Sequence, residues 1–115
     1  MSKRSDFEYL QDIFDSANRI RKYVKGYTYK NFSEDLKTQD AVLRNFEIIG
    51  EAAKHLSKDV RGKYPQVSWS RVAKLRDRLI HHYSGINLDI VWGIVEESLP
   101  QLSDQILDIL KQMKN

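Results

Sequence analysis

Eight consecutive residues, Arg76-Asp77-Arg78-Leu79-Ile80-His81-His82-Tyr83, hold two arginines, two of the chain's three histidines, an aspartate and a tyrosine. These types suit proton transfer beside a phosphate. A histidine, with an ordinary pKa of about 6.5, takes and gives a proton at neutral pH. An arginine offers a planar fork that matches phosphate oxygens and stabilises charge growing on them. Asp77 precedes His81 by four residues. On one helix, that carboxylate would hold the imidazole tautomer and raise its basicity.

Positioning these groups needs an element, and the spacing predicts a helix running to about Tyr83. On it Val72, Leu75, Leu79, Ile80 and Tyr83 share one apolar arc. Arg76 falls inside that arc, about 20° from Tyr83 on the ideal wheel. A guanidinium among apolar side chains requires a carboxylate, a phosphate or an interface. Glu47 or Glu51 is the structural candidate and a phosphate the functional one. His81 falls about 140° from Arg76 on the same wheel. A straight helix therefore does not aim both at one point. A distorted helix end, a wrapped arginine or a second copy of the chain would reconcile them. His82 falls at the edge of the apolar arc and reads as packing. On residue types and periodicity alone, a structural ion-pair network and a catalytic site both stay open.

The rest of the chain reads as helical. From Ser5 to Tyr29, apolar residues from Phe7 to Val24 recur at three- and four-residue steps, with Ser5 and Glu8 as a capping box and Gly26 near the end. Asn31 to Asp35 reads as a turn, with Ser33, Thr38 and Asp40 as candidate caps. A long helix follows to about Ser57, carrying Val42, Leu43, Phe46, Ile49 and Ala53. Gly50 inside it costs about 1 kcal/mol of helix propensity, which a close helix crossing would explain. His55 suits the helix's C-terminal dipole and is assigned no chemistry. Asp59 to Trp69 reads as a connector leading to a cap at Ser68 or Ser70. Gly85 is fitted to a left-handed helix end and Asn87 to a new N-cap. Pro100 interrupts the last apolar pattern, where a kink or a new segment is expected. No window alternates with period two, so the fold class is all-α: a four- to five-helix up-and-down bundle.

Composition bounds the rest. The 115 residues suit one domain spanning 1–115, and 41% hydrophobic with 30% charged residues suits a folded chain. There is no cysteine, which excludes disulfides and thiolate metal sites. No signal peptide and no membrane span are read, and a cytoplasmic location is expected. A net charge of +3 permits an anionic partner without demanding one. Phosphate-binding glycine loops, GxSxG and HExxH are missing.

The string Arg76-x-x-x-x-His81-x-Tyr83 resembles the RxxxxHxY signature of the HEPN superfamily, and in particular the HepT-like toxins of HEPN/MNT toxin–antitoxin pairs. The resemblance extends to Leu43-Arg44-Asn45-Phe46-Glu47-Ile48-Ile49-Gly50-Glu51-Ala52-Ala53. Pro65 with Trp69 before the signature, and the stretch from Gly85 to Trp92 after it, fit as well. It implies a HEPN-like bundle that dimerises with the two motifs at the cleft. It implies a metal-independent endoribonuclease that needs no cofactor, leaves a 2′,3′-cyclic phosphate and acts in a type VII-like toxin–antitoxin pair. Arg76 and His81 would be the catalytic pair, supported by Asp77, where relatives often have asparagine. Tyr83 would be the acceptor of AMP from a nucleotidyltransferase antitoxin of the MNT type. The alternative is a non-catalytic helical dimer that binds a nucleotide or the nucleotidyltransferase itself.

Overall fold

The computed structural model describes residues 4–81 and 85–114, with Ile80, His81, Gly85 and Ile86 described by their backbone. Helix α1 spans Asp6–Tyr23 and opens on the expected capping box, in which the Ser5 hydroxyl accepts from Glu8 N–H and the Glu8 carboxylate accepts from Ser5 N–H. It stops at Tyr23, short of Tyr29, because the chain turns at Gly26, whose φ of 78° suits a residue without Cβ. The segment expected to be a turn holds a short helix, α2, Tyr29–Ser33, capped by Thr28. Its lone buried residue, Phe32, is the reason to form it. That ring meets Trp92 at 5.2 Å between centroids.

Helix α3, Leu36–Lys54, is capped by Asp35 rather than by Ser33, Thr38 or Asp40. The connector from Asp59 is partly helical. In α4, Lys58–Lys63, Ser57 caps the first turn, Asp59 follows it, and Arg61 and Lys63 sit at the other end, matching the macrodipole. The Asp6 carboxylate accepts from both Ser57 N–H and Ser57 Oγ–H, at 2.9 and 2.7 Å. The start of α1 therefore lies beside the end of α3, and the two run antiparallel. Tyr9 of α1 stacks on His55 at the α3 C-terminus with centroids 5.2 Å apart.

The predicted third helix is broken. Helix α5, Trp69–Ala73, begins after Ser68, whose side chain makes no cap bond. The buried Trp69 instead donates its indole N–H to the Tyr64 carbonyl at 2.9 Å, closing the Pro65 turn. Lys74 interrupts, and α6 covers only Leu75–Leu79. The chain then extends into two short paired strands, β1 Ile80–His81 and β2 Gly85–Ile86, with His81 opposite Gly85. Gly85, expected at a helix end, stands in β2 instead.

Asn87 caps α7, Leu88–Gly93, by accepting from Ile90 N–H. A π-helical turn, Ile94–Ser98, joins α7 to α8, Leu99–Lys114. The turn lies just ahead of Pro100, which lacks an N–H and crowds the carbonyl four residues back. A widened ladder is the helix's way past it. The long helices α1, α3 and α8 pack together, with α5 and α6 laid on α3. One continuous core joins Leu10, Ile13, Phe46, Ile49, Ile106 and Ile109, all fully buried. Apart from the two-residue strand pair, every regular element among the described residues is helical, as the all-α reading requires. No helix among them is long and apolar enough to cross a membrane.

Candidate active site

The backbone under the signature is set by α3. Built on Gly50, a Cβ would stand 3.4 Å from the Ala73 carbonyl oxygen and 3.5 Å from that of Val72. A Cβ would just fit there, but a larger side chain would meet the backbone at the end of α5, so a small residue keeps this crossing close. Leu75 and Leu79 then bury the inner face of α6. These two anchors fix which way α6 presents its other residues.

Arg76 lies on the side of α6 that flanks α3. Its side chain is 61% exposed, and its Nε stands 3.9 Å from Glu47 Oε2. Of the two carboxylates expected to meet it, Glu47 does. The expectation of an arginine buried in an apolar arc is corrected. The arc was drawn for a helix through Tyr83, and that helix stops at Leu79. At 3.9 Å, with both groups partly exposed, the pair is a loose contact worth about 0–1 kcal/mol. It orients the guanidinium without using up its hydrogen-bonding fork. Asp77 and Arg78, which follow on the same short helix, are both exposed.

His81 is no longer helical. Its backbone is extended in β1, two residues beyond the last helical residue, Leu79. The 140° separation on the wheel therefore does not apply, since it assumed continuous turns. The i, i+4 geometry that would bring Asp77 to His81 lapses for the same reason. The helix ends between Arg76 and His81, so the wheel no longer sets the angle between them. His82 and Tyr83 lie outside the described residues, so the expectations placed on them stand as sequence readings. Among the described residues, no three imidazole or carboxylate groups converge as a metal site would need.

A second feature was not anticipated. On the opposite side of α5 and α6, a groove of about 170 Å³ runs against the π turn and α8. Arg71 and Arg78 line it together with glutamines of α8. Arg71 belongs to α5 and Arg78 to α6, so no single helical period in the sequence marks the pair.

The chain is thus a helical domain with an antiparallel core and a short helix that carries an exposed arginine and ends two residues before a histidine. The chain belongs to the ribonuclease HepT-like family, whose model matches residues 13–109. It is 43% identical to "Putative RNase MJ0127" of Methanocaldococcus jannaschii over 99% of this chain and 94% of that one. It is 37% identical to "Probable ribonuclease HepT" of Thermococcus cleftensis over 95% of this chain and 99% of that one. A third relative, "Putative RNase TTE0752" of Caldanaerobacter subterraneus, is 38% identical over 92% of this chain and 95% of that one. No solved structure matches the chain significantly.

Proposed function

We propose that this chain is a metal-independent endoribonuclease, the toxin of a HEPN/MNT toxin–antitoxin pair, acting as a homodimer in the cytoplasm. The observation that carries the reading is the exposed, loosely tethered Arg76, five residues before His81 in a chain of the HepT-like family. RNA brings its own nucleophile, the 2′-OH beside the scissile phosphate. His81 takes the proton of that hydroxyl, the 2′ oxygen bonds to phosphorus, and the bond from phosphorus to the 5′ oxygen breaks. The departing oxygen takes a proton from the imidazolium or from solvent. The products are a 2′,3′-cyclic phosphate end and a 5′-hydroxyl end.

Arg76 neutralises the charge that builds on the two non-bridging oxygens, the step where a fixed cation helps most. To do so it exchanges Glu47, a weak partner at 3.9 Å, for the phosphate. Asp77 tunes the local field as a supporting residue. Tyr83 is the regulatory position. The nucleotidyltransferase would join its phenolic oxygen to the α-phosphorus of ATP, with pyrophosphate leaving. The added phosphate would compete for Arg76 and repel RNA.

The test is expression of wild type, Arg76→Ala and His81→Ala, with growth and RNA integrity followed together. Wild type is expected to arrest growth and to cut RNA, and both variants to do neither while staying folded. Intact RNA with wild type, or cleavage by both variants at the wild-type rate, would refute the enzyme reading. For Tyr83, incubation with ATP and a nucleotidyltransferase of the MNT type encoded beside this chain should add AMP to a peptide containing that residue. An unmodified peptide would end that part of the proposal.

A further inference from the structure

The groove beside α5 and α6 has the makeup of a base-binding subsite. Its floor is apolar and well buried, from Phe46, Val72, Leu75 and Leu99. Its rim is polar, with Gln66, Ser98, Gln101 and Gln105, and Gln105 Nε2–H donates to the Gln66 carbonyl at 3.1 Å, fixing one end. Arg71 and Arg78 stand at the edge, and among the described residues neither is paired with a carboxylate. At about 170 Å³ it is too small for a dinucleotide-sized ligand. A cavity of about 150 Å³ holds one benzene ring, so the space suits one planar ring system.

RNA is read chiefly where bases are unstacked, laid against apolar or guanidinium planes and hydrogen-bonded along their edges. Amide side chains present both a donor and an acceptor to such an edge. Two unpaired guanidiniums complement the flanking phosphodiesters. We propose that this groove seats one unstacked base of the single-stranded RNA substrate, with Arg71 and Arg78 holding the phosphates beside it. The inference rests on the ribonuclease reading and adds a recognition site to it.

The geometry also says which base. Arg76 and Arg78 flank the buried Leu75 and Leu79 stripe from opposite sides, about 200° apart on the ideal wheel. A scissile phosphate at Arg76 and a base in the groove therefore sit on opposite sides of that stripe. The seated base belongs to a neighbour of the cleaved nucleotide, not to that nucleotide. Cleavage would then depend on base identity at one displaced position.

The experiment uses single-stranded RNA oligomers of mixed sequence whose cut position has been mapped with wild type. Each carries one abasic ribonucleotide, moved in turn along the strand. Binding is read by fluorescence anisotropy on oligomers with a 2′-deoxy residue at the cut, and cleavage on the all-ribose versions. In wild type, one displaced abasic position should weaken binding about ten-fold or more, as loss of a stacked base does. Ser98→Trp, which fills the groove from an exposed position, should weaken binding to the intact oligomer similarly and erase the abasic effect. Arg71→Ala with Arg78→Ala should weaken binding to all oligomers and flatten the salt dependence. Matching thermal unfolding would show that these variants fold. If wild type cleaves, Arg76→Ala does not, and all groove variants bind and cut like wild type, the groove proposal alone is overturned. If wild type neither binds nor cuts any oligomer, the ribonuclease reading falls and this one with it.

Discussion

At the scale of residues, the charged side chains of α6, Arg76, Asp77 and Arg78, all lie exposed. Arg76 is mostly exposed and touches Glu47 only loosely. Replacing it with alanine should change folding stability by no more than about 1 kcal/mol. The same change should lower RNA cleavage by about 10²–10³-fold, the typical loss when one oxyanion-stabilising donor is removed. Thermal unfolding and cleavage rates on one preparation check both. A parallel loss of stability and activity would mean Arg76 acts as a strut. Residue types and spacing pointed to Arg76 and His81 and left Glu47 or Glu51 as the carboxylate beside the arginine; the fold chose Glu47. They could not say how far Arg76 would be buried, because that depends on where its helix ends.

Asp35 is the residue with the clearest electrostatic signature. Hydrogen bonds from the Thr38 hydroxyl, the Tyr27 hydroxyl and the Thr38 N–H hold its carboxyl down to about 2. The folded value lies below the unfolded one, so the folded state favours the charged form. That contribution is complete above the ordinary carboxylate range and is lost as pH falls towards 2. Asp35→Asn should therefore lower the melting temperature at pH 7, and the gap to wild type should close on acidification. A gap constant from pH 7 to pH 2 would count against this account.

At the scale of elements, the decisive contact is α3 against α5. Gly50→Ala should be tolerated, because its Cβ would sit at ordinary contact distance and alanine favours a helix. Gly50→Leu should cost about 1–3 kcal/mol by overpacking. Because α6 follows α5 directly, the same change should displace Arg76 and reduce cleavage more than thermal stability alone implies. A normal cleavage rate in a destabilised Gly50→Leu protein would separate the crossing from the site. The sequence hinted at this crossing through a glycine placed inside a helix. It did not show that the following helix would break at Lys74 and end at Leu79. Leu75 and Leu79 satisfy a continuous helix equally well, and the extended pairing of residues 80–81 with 85–86 is a contact between segments. Local periodicity carries no information about such pairing.

At the scale of the whole molecule, one apolar core supports every element. Ile106 is fully buried within it. Ile106→Ala should cost about 2–5 kcal/mol, visible as a shifted denaturant midpoint with an unchanged slope. A change under 1 kcal/mol would show that α8 contributes little to the core. The proposed homodimer of 13.5 kDa chains is checked by sedimentation, with the dimer expected to persist at the concentrations where RNA is cut. A monomer active at the same specific rate would remove the need for a second copy.

The sequence by itself determined the helical class, the capping of α1 and α7, the glycine at the helix crossing and the residues of the signature. Each follows from local preference: periodicity, a side chain reaching its own first turn, a missing Cβ. The tertiary structure alone decided that α6 ends before His81, that Arg76 faces out beside Glu47, and that Arg71 and Arg78 border a groove with the glutamines of α8. These depend on which surfaces meet after the chain has folded back on itself. The signature thus straddles a helix end, where the geometry of one residue cannot be propagated to the next by turn angle alone.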